Sequence, residues 1–145
     1  MLSRAHARGR LHHGLLVTGP RGVGKTTFAL GLGCALLCEV APSVGCGTCP
    51  TCRRVLEGNH TDVRHIQGEG KSGMIKIDAA RQVAIAAQHA PYEGKSHLVI
   101  FDPADAFNEP AANSLLKTIE EPHDGVHFVL LARNASAVIQ TLVSR

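Results

Sequence analysis

The sequence predicts an α/β domain in which a parallel sheet is flanked by helices, with one small cysteine-bearing insertion. Short apolar runs, each typical of a buried strand, alternate with segments of helical periodicity. The predicted strands lie at residues 15–18, 62–66, 97–102 and 126–131.

A glycine-rich octet joins the first predicted strand to a helix expected over residues 27–37. Residues 19–26 match G-x-x-x-x-G-K-[ST] at every fixed position. Glycines permit the backbone dihedrals that turn N–H groups toward a phosphate, and the following helix N-terminus adds unpaired amides. Lys25 would reach the β- and γ-phosphates of a nucleoside triphosphate, and the Thr26 hydroxyl would contact Mg²⁺. The predicted nucleotide-binding residues here are Gly19, Pro20, Arg21, Gly22, Val23, Gly24, Lys25, Thr26 and Thr27; the alternative is a glycine-rich turn without a ligand.

Four cysteines follow that helix with the spacing C-x7-C-x2-C-x2-C, at Cys38, Cys46, Cys49 and Cys52. This spacing brings four thiolates within reach of one ion, and four thiolates fit a closed, structural Zn²⁺ site. Gly45 and Gly47 would permit tight turns around the ion. Disulfides, an iron–sulfur cluster and separate core thiols are the alternatives.

Two neighbouring residues are not needed as zinc ligands. Cys34 lies one helical turn before Cys38 and is expected to be a small buried hydrophobe. His60 could be a ligand, but four cysteines already complete a tetrahedral shell.

Asp102 ends an apolar predicted strand and is the candidate second contact to Mg²⁺. The alternative role for Asp102 is to open a turn before Pro103. Many ATPases with a glycine-rich phosphate loop have a glutamate after this aspartate, which orients the attacking water, and here that position is Pro103. The sequence therefore supports nucleotide binding and does not support hydrolysis.

The rest of the pattern is less specific. A charged, glycine-rich loop is expected over residues 68–73. Helices are expected over residues 78–90 with Asp78 as the N-cap, over 109–121 with Pro110 in the first turn, and over 136–142.

Composition and hydropathy argue against a membrane-spanning protein and against a secreted one. The 145-residue chain has a formal net charge of +3, which is compatible with a nucleic-acid-facing surface without demonstrating one. Its apolar runs are shorter than the roughly 18 residues of a membrane span. Residues 1–10 lack the apolar centre of a secretory signal, so we expect a cytoplasmic protein with no membrane partner.

Several of these segments together resemble the bacterial clamp loader. They are residues 21–27, the four cysteines, residues 113–122 with the sequence NSLLKTIEEP, and the closing Ser144-Arg145. The chain is similar to the γ/τ and δ′ subunits of the DNA polymerase III holoenzyme, which are AAA+ proteins with an inserted zinc module. The likeness runs from about residue 11 to residue 145.

The resemblance implies a fold, partners and a further site. Residues 1–145 are expected to be an AAA+ nucleotide-binding domain, with a zinc module inserted over about residues 38–60 and a truncation before the fifth strand and the lid. The implied cofactors are a structural Zn²⁺ and ATP with Mg²⁺. The implied partners are the other subunits of a hetero-pentamer, the sliding clamp and primed DNA. Arg145 matches an arginine that enters the neighbouring subunit's ATP site as a finger in trans.

Two departures from the family pattern favour δ′, the stator and arginine donor, over the γ/τ ATPase. One is Pro103 in place of glutamate. The other is Ala132-Arg133, where the ATPase subunits have polar residues that sense the γ-phosphate. A γ/τ-like motor is the enzymatic alternative. A third hypothesis, based on Arg53 and Arg54 beside Cys52, is a zinc-module nucleic-acid binder unrelated to clamps.

Overall fold

The computed structural model describes residues 14–20, 22–68, 75–89, 91, 96–102, 104, 109–120, 123 and 125–133. Within them the strands are β1 (Gly14–Thr18), β2 (Val63–Gln67), β3 (His97–Asp102) and β4 (Val126–Ala132). The helices are α1 (Lys25–Leu37), α2 (Pro50–Leu56), α3 (Ile77–Ala86) and α4 (Glu109–Glu120). The strands form one sheet in the order β1-β4-β3-β2, and every pairing is parallel. The predicted α/β class is confirmed.

Hydrophobic side chains cover both faces of the sheet, which explains why β3 and β4 are mostly apolar. Successive residues of a strand point to opposite faces. One face packs against α1 and α2 through Leu98, Ile100, Val129 and Leu131. The other face packs against α3 and α4 through Val99, Phe101, Phe128 and Leu130. The rings of Phe101 and Phe128 stack across β3 and β4 with their centroids 6.4 Å apart.

Helix α1 lies close to both the sheet and α2, and Gly33 permits this approach. A Cβ at Gly33 would lie 3.0 Å from Val55 Cγ1 on α2 and 3.3 Å from Leu98 Cδ2 on β3. Because the side chain at this position is a hydrogen atom, the cysteine-bearing segment packs directly against the sheet core.

The sequence-based boundaries of α3 were wrong at both ends. Asp78 is not the N-cap, because the helix begins at Ile77 and Lys76 is the cap. Asp78 lies in the first turn, where its carboxylate interacts favourably with the positive end of the helix dipole. The helix ends at Ala86 instead of residue 90. Gln88 and His89 donate to carbonyls three residues back, so the chain tightens into turns before it reaches Pro91.

One helix was missed and one lies outside the described residues. Helix α2 is too short for helical periodicity to reveal, but Pro50 at its first turn is a typical helix-start signal that indicates it. The expected helix over residues 136–142 is outside the described residues, as is all but the first residue of the expected loop at 68–73. Among the described helices, none has the length and apolar character needed to cross a membrane.

Candidate functional site

The glycine-rich loop lies at the carboxyl edge of the sheet, between β1 and α1. Its first residue is tied to the neighbouring strand, since Gly19 N–H donates to the carbonyl of Ala132 at the end of β4 (3.1 Å). Open parallel sheets bind ligands in the crevice at this edge. The octet therefore has the strand–loop–helix context that the motif requires.

Two glycines of the loop adopt left-handed conformations that other residues rarely take. The φ angles of Gly22 and Gly24 are 82° and 100°. Gly24 is also the N-cap of α1 and contributes no side-chain cap. The first turn of α1 contains no acidic residue, so its amides and the positive end of its dipole favour an anion.

Lys25, the first residue of α1, folds back over the loop. Its Nζ donates to the carbonyl oxygens of Gly19 (2.5 Å) and Pro20 (3.1 Å). The ammonium group is thus held beside the loop amides by two neutral acceptors. Anionic phosphate oxygens are stronger acceptors than these carbonyls, so Lys25 can exchange them for a phosphate without leaving the loop.

Asp102 and Thr26 meet across the mouth of the loop, although 76 residues separate them in sequence. Thr26 Oγ1 donates to Asp102 Oδ2 over 3.2 Å. These are the hydroxyl and carboxylate predicted to contact Mg²⁺, and the fold brings them together. Oxygen ligands of this type suit Mg²⁺, which is usually bound by one or two carboxylates plus substrate phosphates.

His65 is a third member of this group that sequence reasoning missed. Its Nε2 lies 3.3 Å from the same Asp102 oxygen. No local motif surrounds His65, and its proximity follows only from the parallel pairing of β2 with β3. Its position near the carboxyl end of a strand adjacent to Asp102 was the available signal.

Four other predicted site residues are either exposed or outside the described part of the chain. Pro20 and Thr27 are exposed beside the loop. Arg21 and Arg145 are outside the described residues. Their predicted roles stay predictions.

The four cysteines form one compact cluster at the opposite end of α1. Their sulfur atoms all lie within 4.8 Å of one another. The Sγ atoms of Cys38 and Cys49 are 3.9 Å apart, and those of Cys46 and Cys52 are 4.0 Å apart. Four sulfurs bound to one zinc at about 2.3 Å are about 3.8 Å apart in a tetrahedron, whereas a disulfide requires about 2.05 Å. The cluster can therefore hold a metal ion.

Backbone amides around the cluster favour thiolate sulfur. Cys46 Sγ accepts from the amides of Thr48 (3.5 Å) and Cys49 (3.2 Å), and these bonds lower the pKa of Cys46 to about 6. The amide of Ala41 donates to Cys38 Sγ (3.3 Å) and lowers the pKa of that thiol. Burial raises the pKa of Cys52. A divalent cation would offset the cost of ionising that buried thiol.

Cys34 and His60 lie outside the cluster, as expected. Cys34 is buried in the core between α1 and α2, its thiol lies 3.8 Å from the Cys52 carbonyl, and burial raises its pKa. His60 is also buried, and its Nδ1 accepts a hydrogen bond from the Asp62 amide (3.0 Å).

Gly45 and Gly47 both have positive φ angles, 83° and 76°, so the predicted tight turns are present. At Gly45 the chain also presses on α1: a Cβ there would lie 3.0 Å from the backbone carbonyl carbon of Cys34. The turn that presents Cys46 is thus fixed against α1, whose C-cap is Cys38.

Comparison with known proteins identifies the family. The model of the family described as "DNA polymerase III, delta subunit" matches residues 1–145. The chain is 32% identical to DNA polymerase III subunit tau of Escherichia coli over 145 residues, covering 99% of this chain and 22% of the relative. It is 33% identical to subunit delta' of Pseudomonas aeruginosa (99% and 44%) and to subunit delta' of Bacillus subtilis (100% and 44%). The chain thus spans less than half the length of these curated relatives.

Solved structures agree with the fold. A Thermotoga maritima protein related to the DNA polymerase III gamma subunit superposes with a TM-score of 0.68 at 20% identity, covering 100% of this chain and 44% of that one. A RuvB K64R mutant from the same organism gives a TM-score of 0.53 at 20% identity, with coverages of 99% and 39%. These neighbours support the expected AAA+ fold. The chain belongs to the DNA polymerase III delta subunit family, and its resemblance to bacterial clamp-loader subunits is confirmed at the level of that family.

Proposed function

We propose that this chain acts as a δ′-like clamp-loader subunit that binds ATP without appreciable turnover and donates an arginine to a neighbouring subunit. The observation that carries this role over a motor is Pro103, which directly follows Asp102. A proline side chain can neither accept a proton nor orient an attacking water. Nucleotide bound here would serve mainly to stabilise the domain, since a ligand that binds the folded state raises its stability.

The described residues support nucleotide binding in three ways. The loop around Gly22 and Gly24 has the backbone conformation of a phosphate cradle, and α1 begins directly behind it. Lys25 lies on the loop with two neutral acceptors to exchange for phosphate oxygens. Thr26 and Asp102 offer oxygens on the same side of the loop. Mg²⁺ bound there would neutralise charge on the β- and γ-phosphates.

The four cysteines would hold a structural zinc. A closed shell of four thiolates leaves no position for water, so the ion would supply folding energy and no chemistry. The ion would fix α2 and the turns around Gly45 and Gly47 to the C-terminus of α1. The N-terminus of the same helix follows the phosphate loop.

Arg145 would act in the neighbour's site. A guanidinium placed against a γ-phosphate stabilises the charge of the transition state and contributes about 10³–10⁵-fold to turnover in known arginine-finger systems. This role requires the assembly that the family implies: a hetero-pentamer that opens the sliding clamp and places it on primed DNA. Every member of this partner set is part of the proposal.

The test is to reconstitute the complex with Arg145→Ala and with a matched variant, Arg81→Ala, whose arginine is exposed on α3. We expect Arg145→Ala to reduce hydrolysis at the neighbouring subunit's ATP site about 10³-fold or more, and so to lower ATP hydrolysis by the complex without changing the ATP affinity of this chain. Arg81→Ala should behave as wild type. Unchanged hydrolysis by the Arg145→Ala complex would overturn the arginine-donor role.

A γ/τ-like ATPase is the second candidate. The contact between Thr26 and Asp102 is compatible with this role too, because the same two groups would hold Mg²⁺ in a site that hydrolyses ATP. Phosphate release by this chain that disappears in Lys25→Ala would establish that role instead.

A further inference from the structure

We infer that His65 is a positioning residue for Asp102, holding the carboxylate in the orientation in which it contacts Mg²⁺. The inference rests on the proposed nucleotide site and adds a residue to it. The family motifs in this chain do not include His65, and its relation to Asp102 comes from the geometry of β2 and β3.

The two residues are placed by the register of the sheet. Gln67, the last residue of β2, pairs with Asp102, and His65 pairs with Ile100 two positions earlier. Since residues two apart in a strand share a face, His65 and Asp102 both point to the α1 side of the sheet. An imidazole is long enough to reach the diagonal neighbour, and its Nε2 comes within 3.3 Å of Asp102 Oδ2.

Two structural elements therefore converge on one carboxylate oxygen. Thr26 approaches Oδ2 from α1 at 3.2 Å, and His65 approaches it from β2 at 3.3 Å. Both side chains are within hydrogen-bond distance of the Asp102 carboxylate. The two contacts together restrict rotation of a side chain that is otherwise 27% exposed to solvent.

The chemistry fits a supporting role better than a direct one. An imidazole that donates Nε2–H to a carboxylate fixes the orientation in which the carboxylate binds a metal ion. A neutral imidazole suffices, because one ring nitrogen then donates while the other accepts. Loss of such supporting partners typically lowers metal affinity 10–100-fold. Thr26 is itself proposed to contact Mg²⁺, which leaves His65 as the group that orients the carboxylate.

An alternative account of the same contact is that His65 competes with Mg²⁺ for the Asp102 carboxylate. If His65 occupied the oxygen that Mg²⁺ needs, removing it would strengthen binding of Mg²⁺ and ATP. The two accounts predict changes of opposite sign in one measurement, so the test separates them.

The experiment measures ATP affinity of the intact chain by equilibrium titration, once with Mg²⁺ and once with excess EDTA. The variants are His65→Ala, His65→Gln, Lys25→Ala and a matched control, His89→Ala, whose histidine is exposed beyond the end of α3. We expect His65→Ala to weaken ATP binding about tenfold or more in Mg²⁺ and to leave the affinity in EDTA unchanged. His65→Gln should restore most of the loss, because its amide also donates at the end of the side chain. His89→Ala should match wild type in both buffers.

Three results would overturn the inference: no change in His65→Ala, an equal loss in both buffers, or tighter binding in Mg²⁺. The third would identify His65 as a competitor of the metal. Failure of the proposed nucleotide site looks different: wild type would then show no ATP binding that Lys25→Ala removes, and the inference would fall with it. A normal melting temperature of His65→Gln guards against reading misfolding as lost affinity.

Discussion

The two ends of α1 carry the two candidate sites, and they are built in opposite ways. At its N-terminus the loop is exposed around Gly22 and Gly24, and Lys25 is held by backbone carbonyls that a phosphate can replace. At its C-terminus Cys38 and Cys52 are buried, and the cluster's sulfurs accept backbone N–H bonds and lie within 4.8 Å of one another. About 20 Å of helix separates the two ends.

The difference indicates how each site is used. An exposed loop with exchangeable partners suits a ligand that enters and leaves. A partly buried cluster of four thiols suits an ion that stays, because ion binding and folding are then the same event. The cysteine cluster at the C-terminus of α1, here called the metal end, should therefore control the stability of the domain. The glycine-rich loop at the N-terminus of α1, here called the loop end, should control the affinity for nucleotide.

The largest expected effect on stability is at the metal end. Cys52→Ala removes one of four ligands and should abolish stoichiometric zinc binding, with a loss of several kcal/mol in the free energy of unfolding. Cys34→Ala is the matched control, since this thiol is buried but outside the cluster. It should retain zinc and lose about 1 kcal/mol or little more. Zinc content by mass spectrometry and thermal unfolding measure both; equal zinc content in the two variants would contradict the assignment.

A pair of glycines tests how tightly the metal end is fixed to α1. Gly45→Ala combines a left-handed φ with a contact of 3.0 Å to the Cys34 backbone, so we expect a loss of about 2–4 kcal/mol. Gly47→Ala has a similar φ of 76° but open space around its Cβ, and should cost only about 1–2 kcal/mol. Denaturant unfolding of the zinc-loaded variants gives the comparison. Equal losses would mean that the turn is not pressed against the helix.

A smaller effect concerns the dependence of stability on pH. It arises at the amino edge of the sheet, toward which the C-terminus of α1 points. His97, the first residue of β3, is fully buried, and in the described structure neither ring nitrogen has a hydrogen-bond partner. Burial lowers its pKa, partly opposed by Asp62 and reinforced by Arg64. The folded state therefore takes up a proton less readily than the unfolded state. The resulting stability is present above the ordinary histidine pKa of about 6.5 and is lost as pH falls below it.

His97→Leu should remove this dependence. We expect the free energy of unfolding at neutral pH to rise by about 1 kcal/mol, because two buried unpaired nitrogens are lost. Below about pH 6.5 the variant should lose stability less steeply than wild type. Urea unfolding across pH measures this, with His89→Leu at an exposed position as control. Parallel curves for wild type and His97→Leu would show that His97 is not protonated on unfolding.

Motifs that are local in sequence could be predicted, because their geometry is set by neighbouring residues. The glycine octet and the four cysteines lie in short segments, and the structure forms a loop with left-handed glycines and a compact sulfur cluster from them. Asp102 could be placed at a strand end for the same reason. The buried strands β3 and β4 were also recognisable from their continuous apolar runs.

Features that depend on tertiary contacts could not be predicted. His65 is 37 residues from Asp102, and only the register of β2 against β3 brings them together. The strand order β1-β4-β3-β2 separates β1 from β2, which no local pattern reveals. The end of α3 was misplaced because its alanine-rich stripe continues past Ala86, although the backbone turns there.

The most direct test of the central claim is ATP binding and phosphate release in the same samples of the intact chain, with and without clamp and primed DNA. Lys25→Ala is the control and should weaken ATP binding about 10–100-fold, since it removes charge-assisted contacts to phosphate. The account predicts that wild type binds ATP and releases no phosphate above the Lys25→Ala background in any sample. Release that depends on Lys25 would contradict it and make this chain a motor subunit despite Pro103.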